Sequence, residues 1–136
     1  MVFRVYLLAV KAPGISLEEF KDQWDHHHVN MLKEIAGDAY PQNHYHRYPT
    51  QAKGPADTKY DGIGYLEFKD KAAFLKLREI TETPENKTRL EAHDKTFLDV
   101  DKIQMYIVDE GQRRKFLVRH QVTRGSRLVI FQACLT

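Results

Sequence analysis

The sequence predicts an α+β fold in which one four-stranded antiparallel sheet carries its helices on a single face. Two observations lead to this prediction. Four short segments are rich in β-forming residues and are bounded by turn residues, and the segments between them repeat apolar residues at helical spacing. At 136 residues the chain is long enough for one domain with a core of its own.

The first strand and the first helix begin the chain. Phe3–Val10 is an apolar run of β-forming residues that ends at a Pro-Gly turn. Ser16 can act as the N-cap of the next helix, and Glu19 three residues later completes a capping box. The helix is predicted over Ser16–Gly37, with an apolar face formed by Leu17, Phe20, Trp24, Met31, Leu32 and Ile35.

The remaining segments complete the order β-α-β-β-α-β over Val2–Asp109, which is the ferredoxin-like arrangement. We predict strands over Gln42–Pro49, Tyr60–Lys69 and Lys102–Val108, helices over Lys71–Ile80 and Glu85–Lys95, and a loop over Gln51–Lys59. Two helices cover only one face of such a sheet, yet three strands are apolar or aromatic on both faces. We therefore expect a second copy, a hydrophobic ligand or both to cover the open face, as in a dimeric α+β barrel.

The charge distribution separates the C-terminal end from the rest of the chain. From residue 111 onward there are six basic residues and no acidic residue, whereas the first 110 residues carry 15 basic and 19 acidic residues. We predict a domain over residues 1–110 and a basic extension over 111–136, in which Leu128–Leu135 is apolar enough for a strand that packs on or clasps a dimer. The extension has only two aromatic residues, Phe116 and Phe131, and is not of low complexity, so no nucleic acid partner is expected.

Hydropathy and cysteine content restrict the class of protein. No apolar run is long enough to span a bilayer, and the N-terminal segment lacks a signal-peptide cleavage pattern. The single cysteine, Cys134, excludes an internal disulfide and a Cys-based zinc site. These features predict a cytoplasmic protein without a membrane partner.

Histidine is the residue type that indicates chemistry, because five of the seven histidines lie between Asp25 and Arg47. Metal binding, general acid/base catalysis and histidines without a function are the competing interpretations. His44 and His46 share one face of a strand and His28 could approach them, but no His-x-x-x-His or His-Glu-x-x-His element is present. Because imidazole needs only a suitable pKa and a pocket for acid/base work, we predict that use and no metal or other cofactor.

Helical spacing selects one of the three consecutive histidines. Steps of four residues from Phe20 through Trp24 reach His28, so His28 is predicted to face the core or a pocket. His26 and His27 are predicted to face solvent, and Asp25 is assigned to the polar side of the helix. The candidates elsewhere are three residues on one face of the second strand and one histidine in the last helix: His44, His46, Tyr48 and His93.

Other types of catalytic site have no support in the sequence. No serine lies in a Gly-x-Ser-x-Gly turn, and neither a Gly-rich phosphate loop nor a dinucleotide-binding motif is present. The economical expectation is chemistry that needs no cofactor.

One segment resembles a known family. Pro13-Gly14-Ile15-Ser16-Leu17-Glu18-Glu19-Phe20, followed by Trp24 and then by His28, is similar to the helix start and the Trp/Tyr-x-x-x-His signature of the EthD-domain family. Asp94–Asp99 resembles the end of that family, so the similarity covers Val2–Glu110. It implies a homodimeric ferredoxin-like barrel with one pocket per subunit between sheet and helices. Many relatives have a proline soon after the histidine; none follows here, so the helix is expected to continue.

The resemblance also implies an activity. Within the family, the chain resembles the short members of fungal aromatic-polyketide pathways, which are cofactor-free lyases: decarboxylases of anthrone-type acids, or dehydratases and cyclases of similar substrates. Decarboxylation is preferred here, with dehydration or cyclisation as the alternative. Loss of CO2 leaves an enolate or phenolate that His28 would protonate, while His46 or His93 polarises the adjacent carbonyl.

The residues expected to bind the substrate are Trp24, His44, Tyr48, Tyr65 and Tyr106, of which Trp24, Tyr65 and Tyr106 would line one slot for fused aromatic rings. Two further functions stay open from the sequence: a cofactor-free anthrone oxygenase, and a non-catalytic protein that binds a hydrophobic metabolite.

Overall fold

The computed structural model describes residues 2–109 and residue 116. Its strands are β1 (Phe3–Ala9), β2 (Asn43–Arg47), β3 (Gly62–Phe68) and β4 (Gln104–Asp109), and its α-helices are α1 (Leu17–Asp22), α2 (Val29–Ala36), α3 (Lys71–Thr81) and α4 (Pro84–Phe97). The strands form one antiparallel sheet in the order β2-β3-β1-β4. This arrangement confirms the predicted α+β class and ferredoxin-like order.

The first helix differs from the prediction in its middle. Gln23–His28 is a π-helical segment between α1 and α2, in which the backbone N–H of Val29 reaches the carbonyl oxygen of Trp24, five residues earlier. The buried side of the long helix is Phe20, Trp24, His28, Leu32 and Ala36, each four residues from the next. In a regular α-helix four such steps would turn the stripe by about 160°. The wider turn of the π-helical segment keeps the stripe facing the sheet.

The core lies between the helices and one face of the sheet. Phe3, Val5, Leu66 and Phe68 of β1 and β3 pack against Leu32 and Ala36 of α2 and against Phe74 and Leu77 of α3. A second cluster joins Ala9, Phe20, Trp24, Phe97 and Leu98, and so ties α1 and α4 to the end of β1. Alternate residues of β1 and β3 therefore point to the helices.

The opposite face of the sheet is rich in tyrosine. The ring of Tyr65 contacts those of Tyr6 and Tyr45, with centroids 5.2 and 4.6 Å away. Tyr106 lies beside Tyr6 in the register of β1 with β4 and is 52% exposed, and Tyr45 is 45% exposed. The helices thus leave an aromatic face uncovered in the described part of the chain, as the alternation in the strands predicts.

Two predictions from the sequence concern a strand near the C-terminal end and the absence of a membrane-spanning segment. The predicted strand over Leu128–Leu135, with its packing or dimer-clasping role, lies outside the described residues. Within residues 2–109 and 116, no helix is both long enough and apolar enough to cross a bilayer.

Two glycines of β3 set the distance between the long helix and the sheet. A Cβ atom at Gly62 would overlap the six-membered ring of Trp24, and one at Gly64 would come within 3.0 Å of Cζ2 of the same ring. Trp24 is only 3% exposed, so its ring is enclosed by neighbouring residues. The helix can therefore approach the sheet this closely only because β3 has no side chain at these two positions.

We expect Gly62→Ala to lower the free energy of unfolding by about 1–3 kcal/mol, because the new methyl group overfills a closely packed region. Urea unfolding followed by circular dichroism measures this change. Trp24→Phe in the same background removes the overlapping ring, so the double variant should be more stable than the sum of the two single changes predicts. Additive losses would contradict the proposed contact.

Candidate functional site

The π-helical segment presents polar side chains to the elements on either side of it. Asp25 points toward the end of β2, where it contacts His46 and, one residue beyond the strand, Tyr48. Gln23 and His28 point toward α4, where they contact His93 and Asp94. The long helix thus carries two polar groups of residues on the helix-covered side of the sheet.

The first group is a continuous chain of hydrogen bonds. His46 Nδ1 lies 2.7 Å from Asp25 Oδ1, and the hydroxyl of Tyr48 donates to the same oxygen. His46 Nε2 lies 3.0 Å from His44 Nε2, and His44 Nδ1 in turn contacts the hydroxyl of Tyr40. We call this chain the histidine relay: Tyr40, His44, His46, Asp25 and Tyr48.

The hydrogen bonds of the histidine relay are consistent with one set of proton positions. The carboxylate of Asp25 accepts from His46 Nδ1–H, which leaves Nε2 of the neutral His46 ring as an acceptor. His44 Nε2–H then donates to His46, and His44 Nδ1 accepts from the hydroxyl of Tyr40. With both imidazoles neutral, each of these contacts has one donor and one acceptor.

The surroundings of the histidine relay favour its neutral state. Burial lowers the pKa of His44 to about 4, and nearby His46, His28 and Lys33 act in the same direction. Burial also lowers the pKa of His46, although the hydrogen bond and charge of Asp25 oppose this shift. Burial raises the pKa of the Tyr40 hydroxyl, so it carries its proton at neutral pH.

The second group joins the long helix to α4. His28 Nδ1 lies 3.4 Å from Asp94 Oδ1, and the nearly parallel rings of His28 and His93 have centroids 5.7 Å apart. Both imidazole rings contact Phe97. We call His28, His93 and Asp94 the His-Asp cluster.

Burial shifts the pKa values within the His-Asp cluster in opposite directions. It lowers the pKa of His28 to about 4, with further contributions from His93 and His46, and it lowers the pKa of His93. Burial, assisted by Glu91, raises the pKa of the Asp94 carboxyl to about 6. Two neutral imidazoles therefore face a carboxyl group whose charge is poorly solvated.

A cleft opens beside the histidine relay at the outer edge of the sheet. It has a volume of about 190 Å³ and is lined by Asp25, Val29, Lys33, Tyr40, His44, Tyr45 and His46. The ammonium group of Lys33 also lies 5.6 Å from the centre of the Tyr40 ring. The positive charge of Lys33 and four members of the relay, from Tyr40 to Asp25, thus border the same space.

The structure brings most of the predicted site residues to one side of the sheet. His28, His44, His46, Tyr48 and His93 all belong to one of the two groups just described. Trp24 lies beside them, but its ring stacks on that of His46, with centroids 4.0 Å apart and planes inclined by 21°. A ring that is almost fully buried in this way holds His46 in place.

The predicted slot lined by Trp24, Tyr65 and Tyr106 is wrong. Tyr65 and Tyr106 lie on the face of the sheet opposite to the helices, whereas Trp24 packs on the helix-covered face. The hydroxyl of Tyr65 bonds to Glu67 and Arg4 on that opposite face. A substrate in contact with His28 or His46 would therefore not contact these two tyrosines.

The sequence interpretation did not identify five polar residues of the site: Gln23, Asp25, Lys33, Tyr40 and Asp94. Asp25 was assigned to the polar side of a regular helix, and the π-helical segment instead directs it to His46. Asp94 directly follows His93 in the sequence. This adjacent His-Asp pair was the signal from which Asp94 could have been identified as a site residue. His26 and His27 are exposed, as expected, and α2 continues the helix beyond His28.

We expect stability to fall between pH 7 and pH 4 because of His44. The pKa of this side chain is about 4 in the folded chain and about 6.5 when unfolded, so the unfolded state binds more protons in this interval. With allowance for partial exposure, the loss is about 1–2 kcal/mol. Urea unfolding at both pH values should show a smaller loss for His44→Gln than for the wild type. His27→Gln should behave like the wild type; equal losses in all three proteins would contradict this assignment.

Comparison with known proteins places the fold in context. Residues 12–101 match the model of the EthD domain family. A comparison with curated proteins gave no match.

Solved structures with similar folds come from bacteria and from a plant. An EthD family protein from Bacillus halodurans is 15% identical, with a TM-score of 0.56 over 81% of this chain and 99% of that chain. An Arabidopsis thaliana protein is 16% identical, with a TM-score of 0.55 over 85% of this chain and 99% of its own. A DABB family protein with a ferredoxin-like fold from Mesorhizobium loti is 15% identical, with a TM-score of 0.51 over 79% and 95%. At these identities the likeness shows the fold alone.

Proposed function

This chain belongs to the EthD domain family, and we propose that it is an enzyme, a lyase that decarboxylates a polycyclic aromatic acid of the anthrone type by proton transfer. The observation that carries the proposal is the histidine relay, an unbroken chain of hydrogen bonds that runs along the cleft from Tyr40 through His44 and His46 to Asp25. The substrate class rests on the resemblance to the polyketide-pathway members of the family.

The histidine relay can accept one proton and return it. A proton that arrives at the oxygen of Tyr40 displaces the hydroxyl proton onto His44 Nδ1. The Nε2 proton of His44 then moves to Nε2 of His46, and the charge rests on His46 beside the carboxylate of Asp25. Asp25 stabilises this imidazolium, so a group that is neutral at rest becomes a general acid during the reaction.

Decarboxylation uses the relay in both directions. The carboxyl group of the bound substrate gives its proton to the relay through Tyr40, and the C–C bond of the resulting carboxylate then breaks with release of CO2. The electron pair left on carbon, which is delocalised as an enolate or phenolate, then takes the proton back from the relay. The relay ends in its original state, so the cycle consumes no other reactant.

Lys33 favours an acidic substrate over a neutral one. Its ammonium group borders the cleft and can attract a carboxylate, and it can then stabilise the negative charge that develops as CO2 leaves. This cation is the reason to prefer decarboxylation, because dehydration of a neutral alcohol would use the same relay without needing Lys33.

The volume of the cleft is smaller than that of enclosed ligand pockets, which is roughly 300–1,000 Å³. The cleft would therefore hold the reacting end of the substrate, with the fused rings extending outward.

His28 is not assigned as the general acid. Burial lowers its pKa to about 4, so the imidazolium form that donates a proton is scarce at neutral pH. His46 has the carboxylate of Asp25 as a partner, and the corresponding contact of His28 with Asp94 is longer, at 3.4 Å. We therefore assign proton transfer to the relay.

Tyr40→Phe and His46→Gln should each lower turnover of an anthrone carboxylic acid by about 10²–10⁴-fold, because each interrupts proton transfer. Mass detection of the products distinguishes loss of CO2 from loss of water. His27→Gln, a change at an exposed histidine, is the matched control and should keep full turnover. Full turnover by Tyr40→Phe with unchanged circular dichroism would overturn the assignment of the relay.

The same assay separates the alternative functions. Oxygen consumption that matches product formation would indicate an oxygenase. Tight binding of the aromatic acid without conversion, unaffected by His46→Gln, would indicate a metabolite-binding protein. Either result would contradict the lyase proposal.

We also propose that the chain is a homodimer whose two sheets pack through their tyrosine-rich faces. The support is the uncovered aromatic face, on which Tyr106 and Tyr45 are about half exposed. Sheet packing of this kind would remove these rings from water and give the symmetric contact usual in small oligomers.

Light scattering should therefore give twice the chain mass for the wild type, and Tyr106→Asp should shift the equilibrium to monomer by placing a charge in the contact. Leu75→Asp is the matched control, because Leu75 on α3 is 50% exposed and should leave the dimer intact. A monomeric wild type at micromolar concentration would overturn the dimer.

A further inference from the structure

We propose that the His-Asp cluster binds a divalent transition-metal ion, with His28, His93 and Asp94 as its three protein ligands. The site is separate from the histidine relay, and its existence does not depend on the proposed lyase reaction. One ligand atom from each residue can be chosen so that all three lie within 4.8 Å of one another.

The first argument is that the potential ligand atoms make no hydrogen bond. In the part of the chain that the structure describes, the buried side-chain nitrogen and oxygen atoms without a hydrogen bond are His28 Nδ1, His93 Nδ1 and Asp94 Oδ1. Buried polar atoms are normally paired, and each one left alone costs about 1–3 kcal/mol. Three such atoms in one cluster are explained together by a cation that accepts a lone pair from each.

The second argument is geometric. A zinc ion binds nitrogen and oxygen ligands at about 2.0–2.2 Å, which separates the ligand atoms of a tetrahedral site by about 3.4 Å. His28 Nδ1 and Asp94 Oδ1 are 3.4 Å apart already. The other separations between ligand atoms are at most 4.8 Å, so a bound ion would need to draw these atoms together by at most about 1.4 Å.

The third argument is that Gln23 holds the other ring nitrogen of one proposed ligand, His93, by a hydrogen bond. His93 Nε2 lies 3.1 Å from the side-chain oxygen of Gln23, an acceptor, so this nitrogen carries the ring proton. The Nδ1 atom of the neutral ring therefore keeps its lone pair on the side of the cluster. Histidines that bind metals commonly have their other nitrogen fixed by such a hydrogen bond. The buried ring of Phe97 lies against both imidazoles and limits access of water.

The kind of ion follows from the ligand types. Two imidazoles and one carboxylate favour zinc or another first-row transition metal over magnesium or calcium, which prefer oxygen ligands. Three protein ligands leave at least one coordination position for water or for a substrate oxygen. The site therefore has the form of a reactive centre. A structural zinc site, in contrast, is closed by a fourth protein ligand.

The test uses the untagged full chain, because a histidine tag would bind metal itself. After removal of metal with EDTA, calorimetric titration with Zn2+ should give one ion per chain. Co2+ should give the visible absorption of a four- or five-coordinate site. His93→Gln and Asp94→Asn should each weaken zinc binding at least 100-fold, and Gln23→Leu should weaken it about 10-fold through loss of the outer hydrogen bond.

Two controls separate the cluster from other histidines. The double variant His26→Gln, His27→Gln removes exposed histidines, and His44→Gln alters the relay; both should bind zinc like the wild type. Absence of stoichiometric binding, or binding that survives Asp94→Asn but not loss of His26 and His27, would overturn the proposal. Circular dichroism verifies that each variant is folded. Because zinc binding is measured without substrate, this test is independent of the turnover assay. The metal site can be disproved while the lyase proposal stands, and the lyase proposal can be disproved while the metal site stands.

Discussion

The contact between Trp24 and the backbone of β3 is the constraint on which the rest of this structure depends. Gly62 and Gly64 remove two side chains from the covered face of the strand, and the indole ring lies in the space they leave. The ring then stacks on His46 of the neighbouring strand. One aromatic side chain therefore sets the spacing of the helix from the sheet and the orientation of an imidazole. The polar residues on either side of Trp24 inherit their positions from that contact.

Burial has two different consequences for the polar groups on this side of the sheet. In the relay each donor has an acceptor, so burial of neutral imidazoles and phenols costs little and preserves the direction of the hydrogen bonds. In the His-Asp cluster three atoms have no partner, and burial raises the pKa of Asp94 while it lowers that of His28. The same helix thus supports one satisfied network and one that is incomplete without a cation. This difference is the physical reason for assigning them separate roles.

The order of elements and the position of His28 could be predicted because they follow from local spacing. Steps of four residues identified Trp24 and His28, and alternation placed His44, His46 and Tyr48 together on one face. Alternation alone does not say which face of a strand the helices cover, and for this reason Tyr65 and Tyr106 were placed in the wrong layer. Gly62 and Gly64, which have no side chain, lie on one face of β3 and leave room for a large aromatic ring such as that of Trp24. Their alternation in the sequence could therefore have indicated which face of the strand the helices cover. The π-helical segment, and with it the direction of Asp25, depends on tertiary packing that a regular helical template does not include.

The stacking of Trp24 on His46 also has an optical consequence. The sequence contains a single tryptophan, so the fluorescence of the protein comes mainly from one indole ring whose centroid is 4.0 Å from that of an imidazole. A proton that reaches His46 places a cation against this ring and changes its emission. The chain therefore contains an intrinsic reporter of the charge on the relay. Proton movement in the site can be followed in real time by the emission of the native protein, without a label.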